Sequence, residues 1–214
     1  MIILLDYVKK TLDETKEFPS WDDYYKENDV EKMPWYEKDL DLDLKEEIKL
    51  KNLHSGKFLD LGTGPGTQAM QISNLGFDVT GSDLSNSAIE RAKKLYPNTS
   101  YIVDDILNSK FLDNTFDYIL DRGVFHIFEQ EKLPDYLRQI KRILKKNGIL
   151  FLKCMSVKEK NLEDGKGPFL YSKEQIKEIF ENNFEIESIR DSVYYGTIKP
   201  LPKSLFVVMK NKKN

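Results

Sequence analysis

A glycine-rich turn directly after a short apolar run constrains the fold of this chain most strongly. The run covers residues 57–61, and Gly62, Gly64 and Gly66 follow it at alternate positions. Glycine permits positive φ and close approach of the backbone to a ligand, and a helix that begins there presents unpaired N–H groups. The turn alone has two interpretations, a tight strand-to-helix connection or the cradle of a bound nucleotide.

Strand and helix patterns alternate along the rest of the chain. Helices are predicted from residue 65 to Gly76, after a capping box of Ser87 and Glu90, over residues 133–144, and after Ser172 and Gln175. Strands are predicted over residues 57–61, 77–81, 101–103, 116–120, 149–154, 184–190 and 204–209. The alternation indicates an α/β fold with one doubly wound, mostly parallel, seven-stranded Rossmann-like sheet.

The last two predicted strands differ from the others in their connection. Only about a dozen residues join them, which is short for a helical crossover. We therefore expect this pair to be an antiparallel hairpin with a long loop, which gives the sheet an antiparallel strand near the C-terminus.

The N-terminal part of the chain is acidic and aromatic. Residues 13–47 hold 14 acidic and 5 basic side chains, interleaved with aromatic ones. We predict that residues 1–53 form a cap over the site and that residues 54–214 form the core, within one structural domain overall. The cap is either a packed extension or a lid that excludes water. The candidate lid or substrate-facing residues are Trp21, Tyr25, Trp35 and Tyr36.

Charge and cysteine content exclude several classes of protein. The 33 basic and 36 acidic residues give a net charge of −3, so nucleic acid is not an expected partner. Cys154 is the single cysteine, either a nucleophile or a packed residue, and allows no disulfide within the chain. The apolar run of residues 1–5 ends at Asp6, too short for a signal peptide or membrane span, so a cytoplasmic location is expected.

Carboxylates follow several of the predicted strands or end them. Asp60 precedes the glycine turn, and Asp83 and Asp105 follow the next two strands. The third glycine comes one residue earlier than in the NAD pattern G-x-G-x-x-G, which disfavours a pyrophosphate and an NAD-dependent oxidoreductase. Asp60 suits an ammonium group, Asp83 can accept two ribose hydroxyls, and Asp105 can accept an adenine amino group. These three groups together describe S-adenosylmethionine.

Five segments, residues 58–67, 81–85, 104–106, 114–117 and 144–148, resemble the successive motifs of class I S-adenosylmethionine-dependent methyltransferases. The resemblance covers residues 53–155 and implies S-adenosyl-L-methionine as cofactor and S-adenosyl-L-homocysteine as product. It implies cofactor contacts from the glycine turn to the methionine part, from Asp83 to the ribose, and from the following segments to the adenine. The implied cofactor-binding residues are Asp60, Gly62, Thr63, Gly64, Gly66, Asp83, Leu84, Asp105, Ile106 and Asp121, with Asp104 as the alternative to Asp105 and Asp121 near the methionine amine.

A narrower resemblance lies in the cap. Residues 21–25 and 33–35 are similar to the segment before the sheet in the branch of thiopurine, halide and thiol, and tellurite-resistance methyltransferases. In that branch an aromatic N-terminal segment closes over the cofactor. The branch commonly continues Pro-Trp-Asp and then a glycine, whereas Tyr36, Glu37 and Lys38 follow Pro34-Trp35 here. The small soft-nucleophile substrates of that branch are therefore not assumed for this chain.

Methyl transfer mainly requires alignment of the reactants and exclusion of water, and a general base is optional. Two candidate catalytic residues follow the fourth strand. His126 is either a base or a packed histidine, and Arg122 either orients an anionic substrate or pairs with a cap carboxylate. We predict transfer to a small-molecule acceptor of unknown identity, with a protein side-chain methyltransferase or a catalytically silent cofactor-binding partner as alternatives. The sequence predicts no metal site and leaves the oligomeric state open.

Overall fold

The computed structural model describes residues 20–160 and 167–212 of the 214-residue chain. The apolar run of residues 1–5 and the rest of the cap before residue 20 lie outside the described residues. Within the described part, the helices are too short or too polar to cross a membrane.

The described residues form one seven-stranded sheet. Its strands are β1 Lys57–Leu61, β2 Asp78–Asp83, β3 Ser100–Val103, β4 Phe116–Arg122, β5 Leu144–Met155, β6 Phe184–Val193 and β7 Lys203–Asn211. They lie in the order β3-β2-β1-β4-β5-β7-β6. β1 to β5 run parallel, and β7 is antiparallel to both β5 and β6. The predicted fold class and the C-terminal antiparallel hairpin are confirmed.

Helices cover both faces of the sheet. They are α1 Trp21–Glu27, α2 Leu42–Leu50, α3 Thr67–Ser73, α4 Asn86–Leu95, α5 Leu133–Ile143 and α6 Lys173–Phe180. One core cluster joins α5 and α6 to the sheet through residues such as Ile140 and Phe180. The other joins α2, α3 and α4 to the opposite face, and α2 contributes Leu44 and Ile48 to it. The second half of the cap therefore packs into the core, and the boundary at residue 53 stays a prediction.

Two helix starts test the predicted capping boxes. Ser172 and Gln175 form the predicted box at α6, with reciprocal bonds between side chains and backbone. The box predicted from Ser87 and Glu90 is wrong, because Ser85 is the N-cap of α4 and its hydroxyl accepts the N–H of Ala88 at 3.0 Å. The chain turns into the helix immediately after β2, so Ser87 already lies in the first turn.

The strand order places a crevice between β1 and β4. In the sheet, β2 and β3 lie on one side of β1, whereas β4 and β5 lie on the other side. Open α/β sheets bind ligands at the carboxyl edge of such a switch point. The glycine turn after Leu61 and the segment after Arg122 both lie at this point.

Candidate functional site

The glycine turn is tightly packed between two other segments. Gly62 and Gly64 have φ angles of 68° and 52°, in the left-handed region that favours glycine. A Cβ on Gly62 would overlap the Val124 side chain, and one on Gly64 would come 2.5 Å from the Tyr25 hydroxyl. The turn therefore requires glycine both for its backbone conformation and for the approach of the cap and of the segment after β4.

Asp60 and Thr63 stabilise this turn through hydrogen bonds. Both are buried, and the Thr63 hydroxyl donates a 2.5 Å hydrogen bond to the Asp60 carboxylate. The Thr63 N–H also donates to the Ser82 carbonyl on β2 at 2.9 Å. Burial raises the pKa of Asp60 to about 7. These contacts give both residues a structural role, and their direct contact with a cofactor stays a prediction.

Asp83, the last residue of β2, is held in place by backbone groups. Its Oδ2 accepts the N–H of Gly64 and its Oδ1 accepts the N–H of Ser85, both at 2.9 Å. Burial raises the pKa of this carboxyl group, and the backbone bonds oppose the rise. Each carboxylate oxygen can accept a further hydrogen bond, so the side chain keeps the capacity for two ribose hydroxyls.

The residues predicted to contact the adenine lie where β2 and β3 end. Leu84 is 60% exposed, and Ile106 is buried in a short 3₁₀ helix, Ile106–Asn108. Asp105 caps this helix, since its Oδ1 accepts the N–H of Leu107 at 3.0 Å. Asp104 is buried, and its Oδ2 has no hydrogen-bond partner among the described residues. Both carboxylates stay candidates for the adenine amino group.

Aromatic side chains of the cap form one cluster over the sheet edge. The Trp35 ring lies 5.9 Å from Trp21 and 5.4 Å from Tyr24, centroid to centroid. Tyr25 is buried beside Ala88 of α4, and Tyr36 packs against the same group. The cluster joins the cap to α4 directly beside the glycine turn.

Hydrogen bonds attach α1 to the start of α4. The Asp22 Oδ1 accepts the N–H of Ser87 at 2.8 Å and the hydroxyl of Ser85 at 3.2 Å. The ion pair with Lys26 and these bonds hold the pKa of Asp22 well below its usual range. Because Ser85 also bonds to Asp83, one residue connects the cap to the carboxylate at the end of β2.

A cavity of about 450 Å³, here called the site cavity, lies between the cap and the sheet edge. Its lining brings together residues from seven separate parts of the chain. They are Trp21, Tyr24, Tyr25, Pro34 and Trp35, Gly62, Asp83, residues 122–124 with His126 and Ile127, Met155, Gly167 and Pro168, and Tyr194, Ile198 and Pro202. Sequence patterns did not single out Met155, the last residue of β5. The only signal for Tyr194, Ile198 and Pro202 was the Gly- and Pro-containing loop between the last strands.

Arg122 connects three segments next to the site cavity. Its Nε, Nη1 and Nη2 donate to the Asp41 carboxylate at 3.0 Å, the Trp35 carbonyl at 3.0 Å and the Tyr195 carbonyl at 2.6 Å. Of the two interpretations of Arg122, this geometry favours the ion pair with a cap carboxylate over the orientation of a substrate.

Lys153 completes the charge cluster around Asp41. This fully buried residue of β5 places its Nζ 2.6 Å from the Asp41 Oδ2 and 2.7 Å from the Asp43 Oδ2. Burial alone would raise the pKa of Asp41, but Lys153 and Arg122 outweigh it, so the pKa is lowered. No sequence pattern indicated this ion pair, because Lys153 lies within an apolar strand.

His126 lies in a short 3₁₀ helix after β4 and lines the site cavity. Its Nδ1 accepts the N–H of Met155 at 3.0 Å, so the hydrogen of the neutral ring is on Nε2. Burial lowers the pKa of His126 to about 3. The ring is therefore a hydrogen-bond donor at Nε2, and this geometry disfavours the predicted role as a base.

The Asp121 carboxylate is fully hydrogen-bonded within the protein. Its carboxylate accepts the N–H groups of Gly123, Val124 and Phe125 at 2.7–3.0 Å and the hydroxyl of Tyr136 at 2.7 Å. A carboxylate has about four acceptor positions, and these bonds use all four. Asp121 is fully buried, and burial raises its pKa to about 6. It fixes the turn after β4, and this geometry disfavours the predicted contact of Asp121 with the methionine amine, which stays a prediction.

The described part of the chain supports neither a cysteine nucleophile nor a metal site. Cys154 is fully buried, and burial raises the pKa of its thiol well above the usual value, which favours the packed interpretation. Among the described residues, no group of three or more His, Cys, Asp or Glu side chains could hold a metal ion.

The fold and the site define a Rossmann-like α/β protein whose glycine turn and β2 carboxylate suit a ligand that contains a nucleoside. Residues 58–148 match the family model described as a methyltransferase domain. Over these residues the chain is similar to class I S-adenosylmethionine-dependent methyltransferases, with relatives in the TehB branch, and this similarity implies S-adenosyl-L-methionine as cofactor.

Two methyltransferases are similar to this chain over part of their length. A probable S-adenosyl-L-methionine-dependent methyltransferase TehB of Haemophilus influenzae is 33% identical over 40% of this chain and 31% of its own. A demethylmenaquinone methyltransferase of Thermotoga maritima is 34% identical over 45% of this chain and 42% of its own. The chain spans less than half the length of these relatives.

A solved structure matches nearly the whole chain. It comes from work on the conversion of a disulfide bond into a thioacetal group during echinomycin biosynthesis, and it superposes with a TM-score of 0.78 at 22% identity. The match covers 91% of this chain and 92% of that one, and it shows that the two proteins share a fold.

Proposed function

We propose that this protein transfers a methyl group from S-adenosyl-L-methionine to a small-molecule acceptor in the site cavity. One observation carries the proposal. Gly62 and Asp83, at the ends of β1 and β2, line the same cavity as the cap residues Trp21 and Trp35 and the post-β4 residue His126. Two of the predicted cofactor residues and the cap aromatics thus line one cavity.

The residues present fit the cofactor. Gly62, in the glycine turn, lines the site cavity, and the partly buried Asp83 side chain is held with acceptor capacity left over. In our proposal this turn contacts the methionine part, Asp83 binds the ribose, and Leu84 packs on the adenine. Bound there, the cofactor supplies an electrophilic methyl group on a positively charged sulfonium.

The protein contributes alignment and exclusion of water. Such positioning can supply on the order of 7 to 11 kcal/mol of barrier reduction. The apolar lining of the site cavity, with Trp21, Trp35, Ile127 and Met155, keeps water from the reacting atoms. Arg122 supports this wall, because it holds the Trp35 carbonyl and the Tyr195 carbonyl together.

Cavity size supports a small acceptor over a polypeptide. A volume of about 450 Å³ falls within the roughly 300 to 1,000 Å³ typical of small-molecule sites. The cap is bonded to α4 by Asp22 and to β4 by Arg122, so it forms a wall on one side of the cavity. The name of the demethylmenaquinone methyltransferase relative also denotes a small-molecule acceptor.

The test combines binding with transfer. Isothermal titration should give sub-millimolar affinity for S-adenosylmethionine and S-adenosylhomocysteine, and the absence of binding would end the proposal. Labelled cofactor should then be incubated with thiols, halides and small amines, and separately with cell protein extract. Label in the small-molecule fraction is the expected result. Label in protein would establish the side-chain alternative, and binding without transfer would favour a silent partner protein.

A further inference from the structure

We infer that His126 is a neutral hydrogen-bond donor to the methyl acceptor, fixed in that tautomer by the backbone of Met155. It follows that the acceptor reacts through a free lone pair and that His126 does not take a proton from it. The inference rests on the proposed function and specifies the chemistry of its substrate.

Two backbone contacts fix His126. The N–H of Met155, the last residue of β5, donates to Nδ1 at 3.0 Å, and the N–H of Phe169 donates to the His126 carbonyl at 2.7 Å. A neutral imidazole has one acceptor and one donor nitrogen. Because a main-chain N–H cannot accept a proton, the bond from Met155 leaves Nε2 as the donor.

The surroundings give no support to a positively charged ring. The Tyr194 ring lies 5.8 Å away, centroid to centroid, and its hydroxyl donates to the Lys153 carbonyl. Arg122 is paired with Asp41, and the Asp121 carboxylate is fully hydrogen-bonded. Among the described residues, no carboxylate lies within salt-bridge distance of the ring. Burial without a counter-charge keeps the imidazole neutral.

Several other polar groups of the cavity lining already have protein partners. The three guanidinium nitrogens of Arg122 donate to the cap and to the loop after β6. The Tyr194 hydroxyl donates to a backbone carbonyl, and Asp83 accepts two backbone N–H groups. The Nε2–H of His126 lies beside Gly123, with Nε2 3.3 Å from the position of a Cβ there. This donor therefore lies in the segment after β4, which packs against the turn after β1.

The reaction step balances without a proton transfer to His126. The acceptor lone pair forms the new bond to the methyl carbon, the carbon–sulfur bond breaks, and its electron pair remains on sulfur as the neutral thioether. A ring that already carries hydrogen on Nε2 cannot take a proton there. The acceptor therefore reacts through a free lone pair, any proton of a neutral acceptor leaves to solvent, and the hydrogen bond from His126 orients the acceptor.

The tautomer is tested directly by nitrogen-15 NMR of the full chain, with and without S-adenosylhomocysteine. The spectra contain two histidines, and the exposed His54 serves as the internal reference. We expect His126 to stay in the Nε2–H form between about pH 5 and 8.5. Protonation of His126 within that range, or an Nδ1–H tautomer, would overturn the inference. This readout needs no turnover.

The donor role is tested by two substitutions with benzenethiolate as the probe. His126→Gln keeps a neutral N–H donor without basicity, and His126→Phe removes the donor. In the presence of S-adenosylhomocysteine, His126→Phe should weaken probe binding by about tenfold or more, and His126→Gln by less than about threefold. Equal losses in both variants, or no binding to the wild-type protein, would overturn the inference. S-adenosylhomocysteine affinity, measured in the same samples, tests the proposed function separately.

Discussion

The backbone N–H of Gly64 donates a 2.9 Å hydrogen bond to the Asp83 carboxylate, which joins the turn after β1 to the end of β2. The same carboxylate accepts the N–H of Ser85, whose hydroxyl donates to Asp22 of the cap. A single side chain thus orients the glycine turn, the start of α4 and, through Ser85, the cap. Such preorganisation reduces the ordering needed when a ligand binds.

Replacing Asp83 with alanine should weaken S-adenosylhomocysteine binding by at least about tenfold, because charge-assisted hydrogen bonds to two hydroxyls are lost. Isothermal titration measures the effect. Asp78→Ala, at the exposed start of the same strand, is the matched control and should bind normally. If Asp83→Ala bound as tightly as the control, the ribose assignment would be wrong.

A side chain at Gly62 should destabilise the protein in two ways, by backbone strain at positive φ and by overlap with Val124, and the two effects can be measured separately. Gly62→Ala and Gly76→Ala both place a side chain at positive φ, but only the first overlaps another side chain, that of Val124. Gly76→Ala should cost about 1–2 kcal/mol, and Gly62→Ala roughly 1–3 kcal/mol more. Urea denaturation measures both free energies of unfolding. A double-mutant cycle with Val124→Ala should remove most of the excess, and purely additive effects would contradict the packing explanation.

The bond between α1 and α4 should control how long the cofactor product stays bound. Asp22→Ala removes the acceptor for Ser85 and Ser87, whereas Asp23→Ala changes an exposed neighbour on the same helix. We expect several-fold faster dissociation of S-adenosylhomocysteine from the Asp22 variant, measured by stopped-flow fluorescence. Equal dissociation rates in the two variants would show that the cap is only packed on the core.

His126 should make stability depend on pH in the acid range. Burial lowers its folded pKa to about 3 from 6.5, so the folded state holds fewer protons, and the stabilisation is complete above pH 6.5 and lost as the pH falls toward 3. Between pH 7.5 and 5 the wild-type protein should lose about 2 kcal/mol more than His126→Gln. Urea unfolding at both pH values measures this difference. Identical losses would mean that His126 is not buried in its neutral form.

Local hydrophobic patterns predicted the strands of the sheet, because the spacing of apolar residues reflects which side chains are buried on each face. The apolar run of β1 came out with the predicted bounds, and the short connection before β7 correctly indicated an antiparallel hairpin. The start of α4 was missed, because Ser85 and Ser87 are equally good caps in sequence. The hydrogen bond from Ser85 to Asp83 places Ser85 at the start of the helix.

Side-chain roles depended on contacts between distant residues. Arg122 and Asp121 are adjacent in the chain, yet one holds the cap at Asp41 and the other fixes the turn up to Phe125. Lys153 could not be predicted as a partner of Asp41, because 112 residues separate them. His126 was ambiguous until Met155 supplied the N–H that fixes its tautomer.

By itself the sequence determined the α/β fold, the glycine turn and the carboxylate after β2, since these follow from local periodicity, glycine conformation and motif spacing. Only the tertiary structure decided which polar side chains are free to act. Burial and hydrogen bonding assign each donor and acceptor to a partner, and those partners come from segments that the chain brings together only by folding. Asp121 is thereby committed to the protein, whereas Asp83 keeps acceptor capacity toward the site cavity.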